Sequence, residues 1–449
     1  MSERKQFLSY IERLSKKEYF DAFSRLKGWG VKSGLAILDQ GVYSGSNFIF
    51  NILLARWLSA DNYGAFSLAF AIYLFSTSFH NAMILEPISV FGTAKYSENI
   101  RGYLSSQFII HIIVTGVLGL SVSLIGYILL YFSLVDSFLS HAIIGAGFFL
   151  PLMLLMWLAR RVFYILSQPG WSLLLSCFYS ICLLGGAYYL HSTKPVSPIA
   201  WFGIMGLSSL AGLIVLFKLD VSNFRSEANK EWGWKKMLAE QWVFGKWIML
   251  AAFFNFAATQ IQIFIIAGVL GLNAAGAFSA LQNFMLPMMQ ILTAISALAL
   301  PTIAFAFGQK KYTEMRRRSF AVAGMLFFIS VFYVTFLYFF AMPLEDLLYD
   351  GKYKEYIALI PVFGTIPMIT AVCTGFSLVV RSLQRPVYHA ILTFGMALAG
   401  VFSGLLLISF FGIAGAMGSL AVSAIISLLI NLLFYRAWFA NASSYYVNK

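Results

Sequence analysis

The sequence predicts an all-α polytopic membrane protein, with about twelve transmembrane helices in two six-helix bundles related by a pseudo-two-fold axis along the membrane normal. Three observations predict it: apolar runs long enough to cross a bilayer, a one-sided distribution of Lys and Arg, and an internal repeat. Of the 449 residues, 60% are hydrophobic and only 11% are charged, less than half the charged share of an ordinary soluble domain. Aromatic residues make up 17%, with 44 Phe and 23 Tyr. That suits helices whose sides face lipid and whose ends meet headgroups.

A membrane-crossing helix needs about 20 predominantly apolar residues. Such runs fall near 33–57, 63–90, 105–132, 138–163, 168–190, 197–218, 242–271, 274–306, 319–342, 355–381, 387–410 and 414–439. Only Arg56, Lys194, Lys352 and Lys354 lie on one side of these spans; every other Lys and Arg lies on the opposite side. Cytoplasmic flanks retain positive charge, so both termini are expected in the cytoplasm. The formal charge of +13 punctuates apolar spans instead of forming a solvated basic face, which argues against nucleic acid as a partner. No cleavable signal is evident before the first apolar run near Val31. Cys177, Cys182 and Cys373 sit inside apolar segments with no CxxC and no paired His, so they read as packing residues and not as metal ligands.

In the amino-terminal segment, Phe7, Ile11, Leu14, Phe20 and Phe23 recur at helical spacing among Lys16, Lys17, Arg25 and Lys27. That pattern fits an amphipathic helix on anionic lipid; a frayed basic tail fits as well.

The repeat organises the rest of the chain. Gly64-Ala65-Phe66-Ser67 returns as Gly276-Ala277-Phe278-Ser279, at an offset of 212. Phe91-Gly92, followed by Tyr96-Ser97-Glu98, returns as Phe307-Gly308 with Tyr312-Thr313-Glu314 at 216. Leu166-Ser167-Gln168-Pro169 is echoed by Leu383-Gln384-Arg385-Pro386 at 217. Repeats of six spans, an even number, enter the membrane in the same direction and leave a cleft between them. The expected organisation is a cytoplasmic segment 1–32, a first half 33–218, a linker 219–241, a second half 242–439 and a cytoplasmic tail 440–449.

Two segments carry a family resemblance. Leu54-Ala55-Arg56-Trp57-Leu58-Ser59-Ala60-Asp61-Asn62-Tyr63-Gly64 resembles the first hairpin of the polysaccharide-export flippases, the O-antigen and exopolysaccharide type of the multidrug/oligosaccharidyl-lipid/polysaccharide exporter superfamily. Leu348-Tyr349-Asp350-Gly351-Lys352-Tyr353-Lys354-Glu355-Tyr356, running on to Pro361, looks like the external loop and following helix of the same family. The resemblance implies a place in a bacterial inner membrane, alternating access and, as cargo, an undecaprenyl-diphosphate-linked oligosaccharide for surface polysaccharide biosynthesis. Polymerases and glycosyltransferases of the same pathway are the partners it suggests. The chain departs from the family in one respect: cations deep within its spans are scarce.

Ionisable groups inside a membrane are costly and point to function by default. Asp39 lies within the first span, and Gln40, Ser44, Asn47 and Asn51 follow one helical face. They suggest a polar stripe on a cavity wall, with a polar helix contact as the alternative. Glu86, beside Pro87, suits a proton acceptor or a cap on a bent helix; His80 and His111 read as structural hydrogen-bonding groups. Arg56 closes the first span, where it would meet a diphosphate, snorkel to headgroups or hold the hairpin. In the second half Gln260, Gln282 and Gln290 offer amides to sugar hydroxyls or to neighbouring helices. Arg160, Arg161, Arg381 and Arg385 flank corresponding helix ends and suit a cytoplasmic vestibule for anionic headgroups, or topology control alone. Pro151, Pro287, Pro301, Pro361 and Pro367 are candidate bends.

No GxxxxGK[ST] appears, so ATP hydrolysis is not expected. No cofactor is expected, and coupling to H+ or Na+ stays open. The alternatives to flipping are a cation-coupled multidrug antiporter and, with less in its favour, a membrane polysaccharide polymerase or glycosyltransferase. The latter would need more than the short acidic loop around Glu345, Asp346 and Asp350. The chain is therefore expected not to be an enzyme.

Overall fold

A computed structural model describes residues 31–193, 197–218, 234–382 and 386–447, and every regular element among them is helical. In the first half α1 spans 31–57. The second span is α2 (Ala60–His80) and α3 (Glu86–Ala94), joined by a π turn at Asn81–Leu85. Then come α4 (Ile100–Tyr131), α5 (Ser137–Ile165), α6 (Pro169–Ser192) and α7 (Pro198–Ser208), which tightens into a 3-10 helix to Lys218. The second half opens with α8 (Trp234–Leu270), followed by a span broken into α9 (Leu272–Asn283) and α10 (Leu286–Gly308). It continues through α11 (Tyr312–Tyr349), a short 3-10 turn, α12 (Ile360–Ser382) and α13 (Pro386–Val447).

Among the described residues, ten helical runs are long and apolar enough to cross a membrane. One of them, α13, is a hairpin: Gly412 takes φ 58° in its middle, and the two arms return on each other, with Ser419 Oγ donating to Gly400 O at 2.9 Å. With α1, which is helical over a membrane length but rich in polar residues, the described residues make twelve passes, as the sequence predicts. The first described helix of the second half begins at Trp234, so the last residues of the expected 219–241 linker are already helical. The expected tail is helical to Val447. The expected amino-terminal amphipathic segment lies outside the described residues.

Local chemistry places the helix ends. Ser59 accepts from Asn62 N, Asn99 from Gly102 N and Asp136 from Phe138 N, each capping the start of a span. Pro169 and Pro198 open α6 and α7, where the missing N–H costs nothing. Pro87 cannot donate within its helix, and the turn preceding it widens to π geometry, with Glu86 N–H reaching Asn81 O. In the eighth span the break sits just before Pro287. The carbonyl of Phe284, freed there, accepts from Tyr333 Oη of α11 at 2.6 Å.

The first half holds the denser interior, with Phe50, Tyr63, Phe66, Phe163, Tyr179, Trp201 and Phe202 fully buried. Phe328, Phe332, Phe402 and Phe410 are among the large apolar side chains left exposed, as expected of faces turned to lipid. The end of the molecule carrying Arg56, Lys352 and Lys354 is the one that the charge bias predicts to face outward, and it is called the outer end below.

Candidate functional site

The two halves meet at the outer end in a seal built from both signature segments. A helix leaves its last carbonyls without intrahelical donors, and those of α1 are taken by a side chain of the other half. Lys352 Nζ donates to Ala55 O at 2.8 Å, Arg56 O at 2.7 Å and Leu58 O at 2.5 Å, while Tyr353 Oη donates to Ala55 O at 3.3 Å. Arg56 answers in the opposite direction, with Nη1 donating to Leu347 O at 3.0 Å and Nη2 3.8 Å from the Asp350 carboxylate. A left-handed turn at Asp350 and Gly351 aims Lys352 at α1, and the buried Glu345 carboxylate holds that turn by accepting from Tyr353 N at 2.8 Å. Burial pushes the Lys352 ammonium below the usual lysine range, and Asp350 pulls it partly back.

Beneath this clamp α2 and α9 cross at two glycines. A β-carbon on Gly64 would collide with the carbonyl of Leu272 and sit 2.9 Å from Gly276 N; one on Gly276 would collide with the carbonyl of Ala60. Only glycine permits such a backbone approach. The crossing is flanked by Asn283 Nδ2, which donates to Tyr63 Oη at 3.1 Å and Tyr349 Oη at 3.3 Å, and by Asn273 Nδ2 donating to Asp61 at 3.3 Å.

At the inner end only one seam between the halves is similarly tight among the described residues. Gly245 of α8 lies against the π turn, where a β-carbon would be 2.7 Å from Ala82 O. Gln241 donates to Gln107 at 2.6 Å, and Glu240 accepts from Lys95 at 2.8 Å and Tyr96 at 2.9 Å. The Glu240 carboxylate raises the exposed Lys95 ammonium above its ordinary value. Elsewhere, Gly34, Gly41 and Gly45 of α1 have open space where a side chain would be, and Gln40, Gln290 of α10 and Thr293 are exposed.

The first bundle also encloses a charge cluster. Asp39 of α1 is fully buried, and its carboxylate accepts from Arg160 Nη2 at 2.9 Å, Arg160 Nε at 3.2 Å, Ser172 at 2.9 Å, Ser176 at 2.5 Å and Tyr164. Arg160 also donates to Gln40 Oε1 at 2.9 Å and lies 4.3 Å above the Tyr43 ring. Charge-assisted bonds of this kind make a buried pair tolerable by satisfying both ions. A second buried polar pair, His80 with His111, sits beside the π turn at 3.0 Å.

The structure thus regroups the candidates that the sequence suggests. Arg160, expected in a cytoplasmic vestibule, is instead buried inside the first bundle, because the Asp39 carboxylate requires a partner there. Arg161 turns to Ser89 Oγ at 3.0 Å, Arg381 is exposed, and Arg385 lies outside the described residues. Asn47 accepts from Tyr179 Oη at 3.0 Å and donates to Tyr43 O, and Asn51 donates to Asn47 O, so both are tied into α1 and its bundle. Glu86 sits 3.5 Å from Asn81 Nδ2. Gln260 and Gln282 are half-buried and Gln290 is exposed. Arg56 stands in the seal beside the opposite half, not at a free helix end. Asn283, which the sequence offers to sugar hydroxyls or helix packing, is tied by the structure to Tyr63 and Tyr349. The sequence alone does not mark Lys352 or the Gly64–Gly276 crossing as functional. The repeat at offset 212 and the Asp350-Gly351 turn are the signals it offers toward them.

Residues 53–358 match the family model described as polysaccharide biosynthesis protein. The chain belongs to that family. No curated protein matches it. Among solved structures, an inward-facing multidrug resistance MATE family transporter of the MOP superfamily aligns at TM-score 0.77 and 12% identity, over 91% of this chain and 99% of the other. An outward-facing structure of such a transporter aligns at TM-score 0.68 and 12% identity, over 92% and 96%. A MOP superfamily transporter from Pyrococcus furiosus, whose binding pocket is described as having reverse polarity, aligns at 0.64 and 12%, over 92% and 96%. The family is therefore that of the polysaccharide biosynthesis proteins, in line with the resemblance of the two signature segments, on the two-bundle fold seen in the MATE structures.

Proposed function

We propose that the chain flips an undecaprenyl-diphosphate-linked oligosaccharide from the inner to the outer leaflet of a bacterial cytoplasmic membrane by alternating access. The observation that carries this reading is the asymmetry between the two ends. The halves interlock at the outer end through Gly64, Gly276 and Lys352, while α1 and α10 present uncovered polar side chains toward the inner end. In this state the headgroup enters between α1 and α10, where Gln40, Gln290 and Thr293 offer hydrogen bonds to sugar hydroxyls, and the lipid tail stays in the bilayer. The higher TM-score against the inward-facing transporter than against the outward-facing one supports the same state.

Opening the outer seal releases Lys352 and Arg56 from their carbonyl partners, so both cations become available to the diphosphate as it leaves. Guanidinium and ammonium groups suit that role, Arg as a fork and Lys as a point charge. A membrane potential negative inside favours outward movement of an anion by about 2.3 kcal/mol per charge per 100 mV. The deciding experiment reconstitutes the protein in liposomes with a fluorescent lipid-diphosphate oligosaccharide and follows its access to an external quencher. Protein-dependent loss of protection is expected; its absence across several glycans would overturn the assignment.

A cation-coupled multidrug antiporter is the second reading, favoured by the fold shared with the MATE structures. Against it, the Asp39 carboxylate, the natural place for an organic or inorganic cation in the first bundle, already holds the guanidinium of Arg160. Uptake of a fluorescent organic cation by the same liposomes separates the two.

A further inference from the structure

Two imidazoles lie against each other inside the first half, and the flipping mechanism above does not use them. His80 ends α2 and His111 lies on α4, at 0% and 2% exposure. His80 Nε2 is 3.0 Å from His111 Nδ1, and His111 Nε2 is 3.2 Å from Pro151 O. A carbonyl only accepts, so His111 carries its proton on Nε2 and, when neutral, offers a lone pair at Nδ1. His80 then donates from Nε2. That leaves His80 Nδ1 as a bare acceptor, buried and without a hydrogen-bond partner, a state that costs free energy unless the site serves a purpose.

We propose that His80 and His111 together bind one proton, and that its binding opposes the outer-closed state, which makes H+ the coupling ion of export. The coupling rests on the transport reading; the proton site does not. The incoming proton adds to His80 Nδ1. The bridging proton then sits on either facing nitrogen, so one positive charge is shared by two rings while His111 keeps its bond to Pro151. Of the titratable and charged groups facing His80, His111 comes from α4 and Arg161 from α5, and both are basic. Where α8 packs on the π turn it contributes Gly245. A charge added here is buried, and no carboxylate faces it among the described residues, so the loaded pair disfavours this packing. The π turn begins at the next residue, Asn81, within the span that carries Gly64 at its outer end. Relief of the buried charge is therefore expected to move that span, with Glu86 the nearest acid along the chain beyond the turn.

The test uses the full-length chain in phospholipid liposomes, without cargo. Cys177, Cys182 and Cys373 are replaced by Ala, and nitroxides are attached through Leu134→Cys and Phe411→Cys, at exposed positions of the two halves. Pulsed EPR distances are expected to show a several-fold larger outer-open population at about pH 5 than at about pH 8. That shift is expected to vanish in His80→Gln and in His111→Gln. A parent that does not respond, or variants that respond as the parent does, would overturn the proposal. Should the variants fail to fold, 15N ring signals of the parent decide, since the chain has only five His. A shared one-proton step from the Nε2-protonated tautomers supports the site, whereas independent titration overturns it. Acid-driven opening without flipping would sink the transport reading alone; flipping without acid-driven opening would sink the proton site alone.

Discussion

Gly64 and Gly276 face each other across the outer seal, each lying under a backbone carbonyl of the other's helix. They are also equivalent positions of the internal repeat, so the pseudo-two-fold axis passes between them. Backbone packed on backbone cannot be relieved by turning a side chain.

Gly64→Ala and Gly276→Ala are therefore expected to act alike. Each forces α2 and α9 apart, at a cost of roughly 1–3 kcal/mol to the closed state. A cysteine-reactive reagent applied from outside to a single probe at Ser279→Cys, buried in the parent, is expected to react faster in either variant. Unchanged protection would show that the crossing is not the closure.

Lys352 and Arg56 hold the same end with unequal strength. Lys352→Met leaves the Arg56 and Leu58 carbonyls without this donor and Ala55 O with Tyr353 alone, worth about 1–3 kcal/mol where they remain buried. Arg56→Ala removes a solvent-exposed bond to Leu347 O and an exposed pair whose charges stand 3.8 Å apart, worth roughly 0–1 kcal/mol. Thermal unfolding in detergent is expected to rank Lys352→Met well below Arg56→Ala. The flipping rate then separates holding from release, since a residue that also receives the diphosphate lowers transport by more than its stability loss explains. Equal melting points for the two variants would remove Lys352 from the clamp.

The hairpin of α13 gives a contrast between two glycines. Gly412 needs φ 58° but has open space, its nearest contact being Leu270 at 3.7 Å, whereas a β-carbon on Gly415 would collide with Leu407 O. Gly412→Ala is expected to cost about 1–3 kcal/mol, because φ 58° with ψ −135° is a backbone conformation that is essentially glycine's alone. Gly415→Ala is expected to cost more, because the two arms must separate. Melting temperatures measured side by side check the order, and Gly412→Ala being the worse would refute it.

Much of this architecture is legible in the chain because lipid imposes a simple code. Apolar length locates the passes, Pro87 and Pro287 mark the breaks in the second and eighth spans, and the offset between Gly64 and Gly276 gives the axis. What is not legible depends on rotation of helices about their own axes. Asn47 and Asp39 lie on one helix, yet which bundle they face follows from how Tyr43 and Phe50 pack, and no local pattern encodes that. A flank count misplaces Arg160 for the same reason. Its neighbour Arg161 meets Ser89, one residue and about 100° around the helix, and counting flanking charges cannot tell the two apart. Sequence marks His80 and His111 as hydrogen-bonding groups, but their pairing follows only from the packing of α2 on α4.

The Asp39–Arg160 pair supports the most discriminating expectation about the first bundle. If it is structural, what matters is that neither charge is left alone. Asp39→Asn strands the guanidinium among Tyr43, Trp157 and Gln40, and Arg160→Met strands the carboxylate on Ser172, Ser176 and Tyr164. Breaking a buried pair from one side costs about 3–5 kcal/mol, while removing both ions is often near neutral. The double variant is thus expected to melt above either single one, and to keep flipping. If instead the carboxylate itself serves transport, the double variant recovers its stability and stays inactive. A thermal melt combined with the liposome assay on the same three variants separates a stabilising ion pair from a working one.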